Sequence, residues 1–134
     1  MSEHRMMPIP DVYPEHQLFW EGTRRGKLHI KKCQSCGEHH YYPRDLCPFC
    51  NSEETFWVEA TGIGTIYTYS VMRKGHSYAI AFVTLVEGVR IMTNIVDCDL
   101  DRIAIGQKVK VVFKHTGDGN EENPLVPCFT PMTN

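Results

Sequence analysis

The pattern of apolar and polar positions changes character near residue 60. From Thr65 onward, runs rich in β-branched and aromatic residues alternate with glycine-rich or charged breaks. They predict strands over 65–72, 78–86, 90–96, 107–115 and 125–130. Gly62 and Gly64 open the first of these. Residues 73–77 (Arg-Lys-Gly-His-Ser) read as a polar loop, Glu87-Gly88 as a turn, and 97–106 as a turn with room for one helical turn. Residues 116–123, with Gly117 and Gly119, read as a mobile loop. Pro127 lacks an amide proton, which places the last strand at an edge or a barrel rim. Five glycine-punctuated strands with no real helix among them predict a small closed barrel such as an OB-fold. A sandwich normally wants about seven.

Ahead of residue 60 the elements are shorter. Residues 1–13 show no periodicity and read as an extended or mobile arm. Pro14 to Gly26 predicts a helix: Pro14 suits a first turn, Leu18, Phe19 and Gly22 give a partly apolar side, and Gly26 is a natural stop. Arg24, Arg25 and Lys27 crowd its end, where positive charge complements the dipole. Adjacent rings diverge by about 100° on a helix. One of Phe19 and Trp20 is therefore expected to pack against the neighbouring segment and the other to be offered to a partner, unless both are buried at home. Leu28 to Ile30 predicts a short strand, His39 to Pro43 its return strand, and Phe56-Trp57-Val58 a segment whose aromatics cover the metal site or seal the joint to the second half.

Between these strands lies the strongest chemical signal. Cys33-x-x-Cys36 and Cys47-x-x-Cys50 are separated by ten residues, the spacing of a tetrahedral four-cysteine metal site. Gly37 and Asn51 directly follow the pairs, where each knuckle needs a left-handed residue. Pro48 stiffens the second. Four thiolates close the coordination shell, so a structural zinc is expected, with His39 and His40 surplus to the set. A segment this small buries too little apolar surface to fold alone, and metal binding makes up the deficit. Iron also suits such a tetrahedron. The mainly β chain thus divides into an N-terminal arm and helix (1–27), a zinc ribbon (28–57) and a barrel (58–134).

Charge and composition narrow the function. A net charge of −2 and a pI near 6.4 supply no field for nucleic acid. No apolar run approaches the roughly eighteen residues of a membrane helix. The start, Met1-Ser-Glu-His-Arg, lacks the apolar core of a signal peptide. With four of six cysteines explained by metal, a reducing cytoplasm is the expected compartment. Cys98 and Cys128 are expected as small buried side chains rather than reactive thiols. No catalytic residue is predicted: G-x-S-x-G, H-E-x-x-H and a Gly-rich phosphate loop are all absent, and none of the seven histidines sits in a catalytic motif. A cationic cluster does stand out. Arg24, Arg25, Lys27, Lys31 and Lys32 suit either the negative metal-thiolate centre with a solvated helix end, or contact with a partner or with a ligand's phosphates.

An ordered set of motifs runs the length of the chain: Phe19-Trp20-Glu21-Gly22, the two cysteine pairs, Tyr42-Pro43-Arg44, Trp57-Val58, Gly62-x-Gly64-Thr65-Ile66-Tyr67, Met92-Thr93-Asn94-Ile95-Val96, Ile105-Gly106 and Val109-x-Val111-Val112-Phe113. In these residues, over roughly 14–131, the chain resembles the acyl-CoA-associated zinc-ribbon/OB-fold proteins, long catalogued as a domain of unknown function. The resemblance implies a helical N-terminal segment, a rubredoxin-like ribbon and a C-terminal OB-fold. It further implies an accessory subunit that forms a hetero-oligomer with a thiolase-like catalytic partner. Such partners include thiolases, the synthase of hydroxymethylglutaryl-CoA, acyltransferases and sterol side-chain aldolases; other members are fused to or paired with hydratases. The subunit can help form the acyl-CoA site, while the catalytic cysteine and histidines belong to the partner. Relatives often carry a proline-rich stretch where 73–77 is short and basic here, so the substrate class is not carried over. Phe19, Trp20, Tyr41 and Tyr42 are the expected partner contacts, because aromatic residues are the usual interface anchors.

Two other function classes fit the architecture. A nucleic-acid binder would stack bases on Tyr67, Tyr69 and Tyr78, but Asp97, Asp99 and Asp101 in one turn and the acidic balance oppose it. A rubredoxin-type electron carrier would hold iron in the four cysteines, and colour would reveal it.

Overall fold

A computed structural model describes residues 16–41, 44–73, 75–117 and 123–132. The arm, the predicted helix start at Pro14, Tyr42, Pro43 and the tip of the 116–123 loop lie outside the described residues. Helix α1 covers Gln17–Arg24. It ends where Gly26 adopts φ 74°, with Lys27 N–H donating to Gly22 O at 2.9 Å and Gly26 N–H to Thr23 O at 3.1 Å. That pair of bonds is a Schellman stop, which a glycine makes without steric cost. Gly22 is needed for a different reason. A Cβ there would run into the His29 ring, so the helix lies against the following strand with no room for a side chain.

That strand, β1 (His29–Cys33), pairs antiparallel with β2 (His39–His40) on one side and β3 (Thr55–Glu59) on the other. It is longer than the predicted 28–30. Lys31 and Lys32 lie in the ladder opposite Trp57 and Phe56, so the strand runs straight into the first cysteine. β3 reaches Glu59, opposite His29.

The second half closes into a barrel of β4 (Ile63–Met72), β5 (Tyr78–Leu85), β6 (Arg90–Ile95), β7 (Lys108–His115) and β8 (Leu125–Pro131), in the order β4-β5-β6-β8-β7. β4 meets β7 again through Ile63, Gly64 and Thr65. A bulge at Tyr67 bends β4 toward this closure. The seam between β6 and β8 is thin: one register pair, Ile95 with Phe129, a main-chain bond from Val96 N–H to Phe129 O at 2.9 Å, and a side-chain bond from Thr93 Oγ1 to Pro127 O at 3.0 Å. Pro127 sits at this seam, where the lost amide proton costs least. The predicted helical turn is a 3-10 turn at Leu100–Arg102, capped by the Asp99 carboxylate. Tyr69 Oη donates to Ile103 O at 3.1 Å and Arg73 pairs with Asp101 at 2.6 Å, which ties the turn to β4.

The interior is continuous. Phe19, Leu28, Ile30 and Ala60 belong to the same buried cluster as Ile66, Val83, Ile91, Val109 and Phe129 of the barrel. Helix, ribbon base and barrel share one core.

Candidate metal centre and its surroundings

The two cysteine pairs form matching knuckles. Gly37 N–H donates to Cys33 O at 2.9 Å and Cys33 N–H to Glu38 O at 2.9 Å. In the second knuckle, Asn51 N–H donates to Cys47 O at 2.8 Å and Cys47 N–H to Ser52 O at 2.9 Å. Gly37 (φ 79°) and Asn51 (φ 62°) both take the left-handed conformation read from their positions after the pairs. The hydroxyls of Ser35 and Ser52, 2.8 Å apart, join one knuckle to the other, a contact that no sequence signal announces.

All four Sγ atoms lie within 4.8 Å of one another. Cys33 Sγ and Cys50 Sγ are 3.6 Å apart, and Cys36 Sγ and Cys47 Sγ 3.7 Å. A disulfide would need about 2.05 Å. A tetrahedron with metal–sulfur bonds of about 2.3 Å has edges of about 3.8 Å, so the four thiols fit one zinc. The amides of Cys36 and Phe49 donate to Cys33 Sγ and Cys47 Sγ with N···S distances of 3.5 and 3.4 Å, stabilising negative charge on the sulfurs.

Without a cation the thiols oppose one another. The Cys36 amide, against the effect of burial and with help from neighbouring thiols, holds Cys33 down at about 6. For Cys36 the Glu38 amide pulls the other way, yet burial and the thiols of Cys33, Cys47 and Cys50 push it to about 12. Cys50 is also raised: the Ser52 amide is outweighed by burial and by Cys33 and Cys47. A divalent ion reverses this balance, because coordination deprotonates a thiol outright.

The five cations do not form one patch. Lys31 is 6% exposed, its Nζ 4.8 Å from the Trp57 ring centroid and 3.4 Å from Thr55 Oγ1. Its place in the β1 ladder, opposite Trp57, sets this burial. Lys27 pairs with Glu59 at 3.5 Å, Arg24 and Arg25 are exposed, and Lys32 is half-buried.

The aromatic residues sort similarly. Phe19 is 3% exposed and belongs to the core rather than to a free surface. It meets Trp20 edge-on at 4.9 Å and Tyr41 at 5.8 Å. Trp20 and Tyr41 are half-buried against the core, and the Trp20 Nε1–H is buried with no acceptor among the described residues. Tyr42 lies outside the described residues. Of the tyrosines considered for stacking, Tyr67 is half-exposed, Tyr69 is bonded to Ile103, and Tyr78 is half-buried. Cys128 is buried, and Cys98 is half-buried with its thiol raised by burial and by Asp97 and Asp99.

Two family models cover most of the chain. One described as "ChsH2, rubredoxin-like zinc ribbon domain" matches residues 20–55, and one described as "ChsH2, C-terminal OB-fold domain" matches 57–114. A "DUF35 domain-containing scaffold protein" of Methanocaldococcus jannaschii is 33% identical over 113 residues, 77% of this chain and 80% of that protein. This chain belongs to the DUF35 family. A family member of the same description from Methanothermobacter thermautotrophicus is 34% identical over 76% of this chain and 83% of its own length. A "probable enoyl-CoA hydratase alpha subunit" of Thermomonospora curvata is 32% identical over 94% of this chain, which spans only 40% of that protein's length. Among solved structures, a chain described as "Ltp2-ChsH2(DUF35) aldolase" superposes with a TM-score of 0.76 at 30% identity, over 91% of this chain and 98% of that one. A DUF35 protein of unknown function from Sulfolobus solfataricus, at 15% identity and a TM-score of 0.65, shares the fold. Among the described residues no helix is long and apolar enough to cross a membrane.

Proposed function

We propose that this protein is a non-catalytic accessory subunit of a thiolase-like enzyme that acts on acyl-CoA thioesters. The observation that carries this reading is the end-to-end likeness to a chain of the Ltp2-ChsH2(DUF35) aldolase, 98% of which is covered. Relatives described as scaffold proteins support it. In this reading Cys33, Cys36, Cys47 and Cys50 hold one structural zinc, which fixes the knuckles and leaves no position for substrate. Trp20 and Tyr41, propped edge-on by Phe19, contact the partner. Arg24 and Arg25, with Lys27 and Lys32, supply the positive charge for coenzyme A phosphates. The complex works in the cytoplasm on a CoA ester, and this subunit takes neither nucleic acid nor a membrane as partner.

The test is coexpression with thiolase-like subunits from the same genome. One of them should co-purify with this chain, the pure accessory chain should turn over no acyl-CoA, and Trp20→Ala should weaken the complex while leaving the thermal melt almost unchanged. Losing a central aromatic anchor costs about 2 kcal/mol or more, roughly thirtyfold in affinity. Steady turnover by the pure chain, abolished by one substitution in it, would refute the reading. A collapsed melt for Trp20→Ala would assign that ring to the core and move the contact elsewhere.

A further inference from the structure

The outer face of the first three barrel strands is built unlike a wetted surface. β5 reads Tyr-Ala-Ile-Ala-Phe-Val-Thr-Leu from Tyr78 to Leu85, apolar at inward and outward positions alike. Antiparallel strands with one face in water normally alternate apolar with polar; strands apolar on both sides belong where both faces are covered. The inward set, Ala79, Ala81, Val83 and Leu85, fills the barrel. The outward set includes Ile80 and Phe82, and Phe82 is 42% exposed. The register puts Met92 of β6 directly opposite Phe82, on the same side of the sheet, and Met92 is 65% exposed. Thr68 of β4 flanks Phe82 on the other side. Two residues along β6, the Arg90 guanidinium lies 3.8 Å from the centroid of the Tyr67 ring, which the bulge in β4 leaves half-exposed.

Composition and charge say what covers this face. Its outward positions (65, 68, 70, 72, 78, 80, 82, 84, 90, 92 and 94) carry Thr, Thr, Ser, Met, Tyr, Ile, Phe, Thr, Arg, Met and Asn, without one of the chain's 16 acids or any lysine. Enrichment in aromatic residues, Met and Arg with depletion of Lys, Asp and Glu is the signature of protein–protein interface cores. A polyanion finds a single cation here, too few to track a phosphate backbone. Among the described residues no carboxylate pairs with Arg90, so its free edge fits an acidic group on the incoming surface.

We propose that the outer face of β4, β5 and β6, centred on Phe82 and Met92 and aligned by Arg90, is a docking surface for the thiolase-like subunit, which presents an apolar patch with a carboxylate facing Arg90. The inference rests on the accessory-subunit reading and adds to it a barrel surface separate from Trp20 and Tyr41. The experiment measures binding of the full-length chain to the thiolase-like subunits of the same genome, for wild type, Met92→Glu, Arg90→Glu and Arg90→Lys, with a thermal melt of each variant. Met92→Glu should weaken binding about thirtyfold or more with an unchanged melt. Arg90→Glu should weaken it too, and Arg90→Lys should restore part of it, because Lys keeps the charge but not the stacked fork. A wild-type complex indifferent to all of these substitutions overturns the inference alone. Absence of a wild-type complex overturns the accessory-subunit reading and the inference with it. A wild-type self-association abolished by Met92→Glu puts a second copy of this chain on the face instead. Salt-sensitive binding of a single-stranded oligonucleotide, lost in Tyr67→Ala, puts nucleic acid there. Either result overturns the proposal.

Discussion

Metal removal from the reduced protein should open the two knuckles while the barrel stays folded. Between Gln34 and Glu54, only His40 and Cys47 of the described residues are buried, so no apolar core of their own holds the knuckles. Outside the strand ladders, and among the described residues, five main-chain bonds order them: Cys33 N–H to Glu38 O, Gln34 N–H to Glu54 O, Gly37 N–H to Cys33 O, Cys47 N–H to Ser52 O and Asn51 N–H to Cys47 O. Fixing one residue's backbone costs about 1–2 kcal/mol, and a hydrogen bond returns a net of about 1 kcal/mol, so these bonds cannot hold the whole segment by themselves. A structural zinc adds about 10–16 kcal/mol. Its loss far exceeds the about 4 kcal/mol that changes an opening equilibrium by a thousandfold. Amide hydrogen exchange reads this directly, comparing zinc-loaded protein with protein treated with chelator and a phosphine reductant. Gly37, Cys47 and Asn51 should lose at least a thousandfold in protection. Ile66, Val96 and Val111, bonded to Gln107, Phe129 and Gly62, should keep theirs. Cys47→Ser should reproduce the pattern without chelator. Knuckle amides equally protected after verified metal loss, or barrel amides exposed in step with them, would refute the reasoning.

Two further outcomes test the barrel. In Gly64→Ala the new Cβ would meet Val83 Cγ1 at 2.6 Å and Thr84 O at 2.8 Å. Overpacking costs about 1–3 kcal/mol, offset by at most about 1 kcal/mol from a stiffer unfolded chain. The urea midpoint should therefore fall at constant m-value, and a midpoint unchanged or raised would contradict the packing. Cys98, whose thiol is raised by burial and by Asp97 and Asp99, should react with iodoacetamide more slowly than a free cysteine at pH 8 and accelerate only at higher pH. Rapid labelling of Cys98 at pH 7 would show that neither effect operates.

What was legible in the sequence was whatever a single residue type enforces locally. Only Gly or Asn adopts the knuckle's left-handed φ cheaply, so Gly37 and Asn51 announced the metal loops, and Gly26 announced the helix stop. Strand runs between glycine breaks announced the barrel. Long-range pairing was not legible. Lys31 looked like part of a solvated basic run, but its position opposite Trp57 buries it beneath an aromatic ring. Phe19 and Trp20 were expected to diverge; Tyr41, which comes from beyond the first knuckle, joins Phe19 in one edge-to-face cluster with Trp20. The covered-strand signal in β5 was present as an apolar run from Tyr78 to Val83. Its meaning emerged only when the register separated the inward set from the outward one.

The same register explains why this fold suits a scaffold. A protein that positions another must not flex between its own parts, and a metal loop with no apolar core would be a poor handle on a flexible stalk. Here Leu28, just ahead of β1, and Ile30 within it join the barrel's cluster, and β1 then runs without interruption into Cys33, so one strand belongs to both the core and the metal site. β3 returns beside it, pairing Ile30 with Val58 and Cys33 with Thr55. The helix closes the joint at Gly22, where the His29 ring leaves no space for a side chain. A rigid interface loses less freedom on docking than a mobile one, and that saving appears directly as affinity. Packing therefore fixes the direction of the knuckles, and the metal fixes their shape. Loosening the joint at Gly22 and removing the metal should weaken partner binding by separate routes.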